Sequence, residues 1–182
     1  MKLGIQTAGY AHAVILGDGN RLVWADIGND LAEMLPIAFQ NLLEELGVTN
    51  SDVTEIRVCL GPGGFTALRS GLAYAQGLAF GFNIPVTTTT LFHLCHTNEG
   101  ELLGFAQGER DIIEAVPHKD GFLKEPHLRA QKESQARRIN EDENLHPRAF
   151  FQSQALTLPI KPLYVRPPDA IAPALPPWLT QT

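Results

Sequence analysis

Cysteine, tryptophan, methionine and tyrosine are all scarce in this chain, with two, two, two and three residues among 182. Cys59 and Cys95 fall in stretches that read as a buried strand and a helix, which excludes a disulfide framework and fits a reducing cytoplasm. No stretch approaches the roughly 20 apolar residues of a membrane span, and Met1 to Ile5 begins no long apolar segment, so neither export nor anchoring is expected. Basic residues are outnumbered 14 to 20, for a formal net charge of -6, and form no stripe. Affinity of this chain alone for a nucleic-acid backbone is therefore not expected, and any RNA would be held by another subunit.

Several catalytic patterns are missing as well. There is no Gly-x-Ser-x-Gly elbow, since Ser70-Gly71 lies within a helix, and so no hydrolase nucleophile is presented. His93, Cys95 and His96 lie close together on a short helix, but no second ligand pair with zinc spacing accompanies them. His12, His118, His127 and His146 are scattered, and the consecutive carboxylates Glu141, Asp142 and Glu143 belong to a polar run that reads as solvated surface.

What is present centres on residues 59 to 81. A strand ends near Cys59, the chain turns through Gly61-Pro62-Gly63-Gly64, and a helix begins near Thr66. Pro62 denies the strand a donor and the glycines permit angles a side chain would forbid. The opening amides of the helix point back into the turn, the local geometry of an anion site. Gly61, Gly63, Gly64, Thr66 and Arg69 are the residues that would face a phosphate. The lysine and hydroxyl that a triphosphate loop needs after its last glycine are absent, so a tight strand-to-helix connection is the favoured reading.

The helix itself is apolar around most of its circumference. At about 100° per residue, Leu68, Leu72, Ala75 and Ala79 share one face, Tyr74, Leu78 and Phe82 form a second sector, and Ser70, Ala73 and Gly77 a third of small residues. Only Arg69 and Gln76 look wet. A small-residue face lets another backbone approach closely, and that neighbour is either the chain's own domain or another chain.

Around this helix the order of elements reads as α/β. Leu3 to Thr7, Ala11 to Leu16 and Arg21 to Ile27 form three strands with a hairpin at Gly17-Asp18-Gly19-Asn20. Leu31, Leu35, Ala38, Leu42 and Leu46 repeat with helical spacing up to Gly47, with Phe39 and Leu43 widening the stripe. Ile56 to Leu60 and Pro85 to Thr88 are further strands, and Thr89 or Thr90 caps a short helix through His96. Strand-strand-strand-helix-strand-helix-strand is a lobe whose sheet mixes antiparallel and parallel pairs. It is the order of one lobe in the sugar-kinase, Hsp70 and actin architecture.

Within that order, residues 61 to 73, then Gly77-Leu78-Ala79 and Ile84-Pro85-Val86, resemble the central signature of the TsaB (YeaZ) family, as does Pro162 to Ala170. The resemblance runs over residues 1–97 and returns at 162–170. It implies an actin-like first lobe at 1–97, a shortened, mainly β second lobe at 98–182, and no catalytic residue. It also implies a cytoplasmic partner of the TsaD enzyme in building threonylcarbamoyladenosine on tRNA, with tRNA reached only through the complex.

Pairing, to TsaD or to a second copy as a homodimer, would use first-lobe helices, through Phe39, Leu43, Ser70, Ala73, Tyr74, Gly77 and Leu78. ATP and magnesium would serve the complex and not bind this chain alone. Gln6-Thr7-Ala8 replaces the family's usual Asp-Thr-Ser, so the carboxylate that handles magnesium in phosphotransferases of this architecture is missing. Gly64 replaces a serine and Ala67 a glycine, and Asp30, where a histidine is common, is positioned to cap the first helix. Two alternatives remain: an ATP-dependent phosphotransferase of the same fold, and a homodimeric interaction protein outside tRNA modification.

The second half is short for that family. Leu102 to Gln107, Asp111 to Val116 and Gly121 to Lys124 read as strands joined by tight turns. Gln131 to Glu143 reads as an exposed helix or loop, and no set of apolar helices follows. Seven prolines from Pro159 onward exclude helix over most of the tail, in which Leu163 to Val165 reads as a strand and Ala170 to Thr182 as a strap or a flexible end.

Overall fold

The computed structural model describes residues 1–95, 98–140, 147–152 and 155–165. Its first sheet has the order β3-β2-β1-β4-β5, from β1 (Lys2–Gln6), β2 (Ala13–Gly17), β3 (Leu22–Asp26), β4 (Glu55–Cys59) and β5 (Val86–Thr89). β1, β2 and β3 pair antiparallel, while β4 lies parallel to both β1 and β5. Helices α1 (Leu31–Leu46) and α2 (Phe65–Phe82) make the two crossovers, as parallel neighbours require.

Both helices cover the same side of this sheet. Leu3, Ile5, Val14, Leu16, Ile56 and Val58 face Leu35, Leu42 and Phe39 of α1 and Leu72, Ala75 and Ala79 of α2. The two-residue period of the strands meets the 3.6-residue period of the helices there, and every one of these side chains is buried. Each helix stops at a left-handed residue, Gly47 (φ 63°) or Asn83 (φ 54°), whose neighbours return amides to the last carbonyls. Asp30 precedes α1 but its carboxylate makes no capping bond, contrary to expectation; only its carbonyl accepts, from the Met34 amide at 2.9 Å.

The second sheet has the order β8-β7-β6-β9, built from β6 (Leu103–Gln107), β7 (Asp111–His118), β8 (Gly121–Ala130) and β9 (Arg137–Arg138). β8 runs six residues past the expected end at Lys124, because it stays paired with β7 to Ala130 across a bulge at Glu114–Val116. Residues 131–133 form a single 3-10 turn, and Arg137–Arg138 pairs parallel with β6, so the expected helix or loop after Gln131 is partly strand. Glu141, Asp142 and Glu143 lie outside the described residues, as do His96, His146 and the tail from 166.

The face of the first sheet opposite α1 and α2 meets the second sheet through a second apolar cluster. Ala13, Ile15 and Cys59 pack with Leu91 and Phe92 of α3 (Leu91–Cys95), with Leu103, Phe105, Ile113 and Ala115, and with Phe150 of α4 (Pro147–Gln152). Gly4 is required here: a Cβ on it would stand 2.9 Å from the Phe150 ring. Polar clamps reinforce the contact. Buried Arg57 donates to the Phe150 carbonyl at 2.9 Å, and Thr88 exchanges backbone and hydroxyl bonds with Leu156, each at 2.9 Å.

His93 closes the same joint. Its Nε2 lies 2.7 Å from the Gly121 carbonyl, so this nitrogen carries the proton, and Nδ1 accepts from the Thr90 hydroxyl at 2.6 Å. Leu163 to Val165 forms no strand. The segment is held instead by one bond from the Leu163 amide to the Leu60 carbonyl, at 2.7 Å.

Candidate functional site

The glycine turn is packed at Gly61 and Pro62 and open at Gly64, which is exposed and lines a cleft. Gly61 (φ 126°) is buried, with Leu68 and Leu163 against it, and a Cβ on Gly63 would meet the Gly9 amide nitrogen at 2.8 Å. That amide donates to the Pro62 carbonyl at 2.9 Å, tying the loop after β1 onto the turn. Gly61 and Gly63 are therefore explained by close backbone approach.

Helix α2 begins at Phe65, one residue earlier than expected, with Gly64 before it and no side-chain cap. Thr66 and Arg69 are exposed, but Arg69 turns away from the glycines: its guanidinium lies over the Phe65 ring, 5.1 Å from the centroid. A cleft of about 590 Å³ does lie between the starts of α1 and α2, lined by Tyr10, His12, Asp30 and Thr66 among others. The Asp30 carboxylate opposes an anion in it.

The side chains at the ends of β1, β4 and β5 are buried and uncharged. Gln6 is wholly buried and neutral, and its amide nitrogen donates to the Ala8 carbonyl at 3.2 Å. Beside it in register stand Cys59 and Thr89, both fully buried, and burial pushes the Cys59 thiol up to about 12. Cys59 belongs to one apolar cluster with Phe92, Leu103 and Phe105. These residues offer a divalent cation no carboxylate, and among the described residues no group of His, Cys, Asp and Glu is placed to hold a metal.

The outward side of α2 is different. Leu68, Leu72, Ala75 and Ala79 are buried as the periodicity predicts, and Gly71 sits so close to Thr7 that any Cβ would collide with it. Tyr74 and Leu78 are half-buried against the core under α1, and burial lifts the Tyr74 phenol to about 12. Ala73 and Gly77 are exposed, Ser70 is half-exposed, and nothing stands within 4 Å of where a Gly77 Cβ would be.

Phe39 and Leu43 do not join this surface. They are 4% and 3% exposed, facing the sheet, and Phe39 packs near Phe82 with ring centroids 6.4 Å apart. Their place on the stripe that widens α1 puts them toward α2 and the sheet, not toward solvent, which corrects the expectation for these two residues.

One residue of the surface escaped the sequence reading. Phe80 is 91% exposed, the most exposed of the large apolar side chains among the described residues. It lies about 20° around the helix from Arg69 and 20° from Ala73, so the wet arc defined by Arg69 and Gln76 contained the signal. An aromatic ring projecting from that arc, beside Ala73 and Gly77, makes an apolar knob next to a notch. Across the helix from α1, Phe65 stacks on Tyr164 with centroids 5.0 Å apart, forming one wall of a groove of about 460 Å³.

No helix among the described residues is long and apolar enough to cross a membrane. Against known proteins, residues 27–97 match the sequence profile of the family described as TsaD, tRNA N6-adenosine threonylcarbamoyltransferase. The chain is 40% identical over 52 residues to the tRNA N6-adenosine threonylcarbamoyltransferase of Nitratidesulfovibrio vulgaris strain DP4, and equally to that of strain Hildenborough. Each match covers 29% of this chain and only 14% of the relative.

The solved structure of YeaZ from Pseudomonas aeruginosa superposes with a TM-score of 0.63 at 20% identity, covering 78% of this chain and 72% of that one. A second structure, described as similar to peptidase YeaZ from Pseudomonas aeruginosa, gives 0.61 at 20% identity over 73% and 68%. The resemblance read from the glycine turn and α2 thus extends to the architecture: this chain has the α/β fold of YeaZ (TsaB), and residues 27–97 are similar to the threonylcarbamoyltransferase family.

Proposed function

We propose that this chain is a non-catalytic subunit in the biosynthesis of N6-threonylcarbamoyladenosine on tRNA, docking a TsaD-type catalytic subunit through the outward face of α2. The observation that carries the reading is Phe80, 91% exposed beside the open positions Ala73 and Gly77 on a helix whose opposite side is fully buried. An apolar knob and notch on a rigid helix is the form of a helix-packing surface, and a protein gains little by leaving it in water. The buried, neutral Gln6 supports a role without bond-making. The net charge of -6 leaves tRNA to the partner, in the cytoplasm, and ATP and magnesium to the assembled complex.

The experiment is reconstitution. The purified chain should bind a purified TsaD-type subunit at micromolar concentration and restore tRNA modification to a mixture lacking TsaB. Absence of binding rejects the reading, and so does calorimetric uptake of ATP with magnesium by the isolated chain, which would favour a phosphotransferase. Restored modification also separates this role from that of a homodimer acting elsewhere, which would use the same face of α2 without it.

A further inference from the structure

We infer that the groove between α2 and residues 160–164 is a binding site for a small aromatic carboxylate, a free molecule held by two cations against apolar walls. The inference is separate from the docking reading, because both walls belong to one chain. Along α2, Phe65, Arg69, Leu72 and Gln76 recur at i, i+4, i+7 and i+11, so they share one stripe of the helix, and all four line the groove. Across from them run Ile160, Lys161 and Tyr164.

The far wall is fixed by the chain's own bonds. The Leu163 amide donates to the Leu60 carbonyl at 2.7 Å, and the amides of Lys161 and Tyr164 donate to the carbonyls of Pro159 and Pro162 at 2.8 and 2.9 Å. Phe65 and Tyr164 join the two walls through rings 23° apart in plane, with centroids separated by 5.0 Å. A site whose walls are already placed loses less freedom on binding.

Apolar surface gathers here. Of the eight large apolar side chains that stand exposed among the described residues, Phe65, Ile160 and Tyr164 line this one groove, and the buried Leu72 lines it too. Its volume of about 460 Å³ is in the range of small-molecule pockets.

Charge decides what kind of molecule fits. Arg69 and Lys161 are exposed, neither forms an ion pair among the described residues, and the described lining holds no acid. The Arg69 guanidinium lies over the Phe65 ring, 5.1 Å from its centroid; stacking uses the guanidinium face and leaves its N–H edge for a carboxylate. An amine would meet two like charges. A nucleoside triphosphate brings more charge than two cations offset, and a magnesium ion for which the lining has no carboxylate. One carboxylate on an aromatic body matches both the cations and the rings.

The probe is indole-3-acetate, compared with its neutral counterpart tryptophol and its cationic counterpart tryptamine, in titrations of the full chain followed by amide NMR. Indole-3-acetate should saturate with a Kd below about 1 mM, its shifts centred on residues 65–76 and 160–164. Tryptophol should bind about tenfold more weakly, and tryptamine not measurably. Arg69→Gln with Lys161→Gln should bring indole-3-acetate down to the tryptophol level while tryptophol itself changes little, a split that loss of fold would not produce. Equal binding of the three probes overturns the inference, as do shifts centred elsewhere or unchanged affinity in the double variant. So does saturation by a peptide carrying an acidic and an aromatic residue when the free acid gives none, which would assign the groove to a protein segment.

Discussion

α1 and α2 lie side by side on one sheet, and their inward faces are alike while their outward faces are not. Inward, Leu31, Leu35 and Leu42 of one and Leu68, Leu72 and Ala79 of the other are all buried. Outward, α1 shows a stripe of Glu33, Ile37, Gln40 and Glu44, in which the one large apolar side chain is 43% exposed, whereas α2 shows Ala73, Gly77 and Phe80, with the ring of Phe80 91% exposed. Stability accounts for the inward faces of both helices and for the outward face of α1. It does not account for an aromatic ring left in water on α2, and the docking proposal rests on that difference.

The comparison breaks most visibly if the two faces of α2 are cut separately. Leu68→Ala, at the joint between α2 and the second cluster, should cost about 3 kcal/mol, while Phe80→Ser should change stability by less than about 0.5 kcal/mol. Urea denaturation measures both. A large loss for Phe80→Ser would mean that the ring packs within its own chain.

Arg57→Met should rank next, at about 2 kcal/mol, because it frees the Phe150 carbonyl and leaves Glu55 with Lys2 and Thr87 only. Hydrogen exchange should accelerate around residues 147–152 before it does in β1 or β2. Uniform acceleration would show that the clamp is not local.

Gly77→Ala is a smaller change of opposite sign. The position is helical, exposed and open, so alanine should stabilise by up to about 1 kcal/mol, read as a raised thermal midpoint. The same openness means that Gly77→Leu tests docking without straining the fold.

Acid gives the smallest effect. Burial raises the Glu55 carboxyl, but the Thr87 hydroxyl and the Lys2 ammonium outweigh it and hold the group below its ordinary value. Its folded pKa is depressed, so its contribution is present above the unfolded pKa and disappears as pH falls below about 4.5 and through the folded value. Asp18 and Asp52, lowered chiefly by backbone amides of Arg21 and Thr49, act in the same direction. Thermal midpoints between about pH 5 and 3 should fall less steeply for Glu55→Gln than for the wild type.

Much of the fold was legible because its signals are periodic and local. Leu31 to Leu46 announces a helix through its spacing, and the hairpin at Asp18-Gly19-Asn20 separates two strands wherever the rest of the chain goes. Where expectation and structure part, the missing information is long-range. β8 outruns Lys124 because β7 continues to offer it a partner, and Arg137–Arg138 becomes a strand only because β6 has a free edge.

The site was legible to a lesser degree, and for the same reason. Residue spacing showed that Ser70, Ala73 and Gly77 share a face and that Phe80 lies between Arg69 and Ala73, but not that Phe39 and Leu43 turn inward. That fact depends on where α1 lies against α2. The direction of Arg69, toward Phe65 and Tyr164 and not toward the glycines, depends on a segment almost a hundred residues away.

By itself, then, the sequence determined which elements form and which of their faces are apolar, since both follow from backbone preference and from transfer of side chains out of water. It also determined that the side chain ending β1 at Gln6 is neutral. Only the tertiary structure decided which apolar face stays uncovered, because exposure is a property of what the rest of the chain places alongside a residue. On α2 that leaves one side against the sheet, a second against α1, a third along the groove of residues 160–164, and Phe80 in water between the last two.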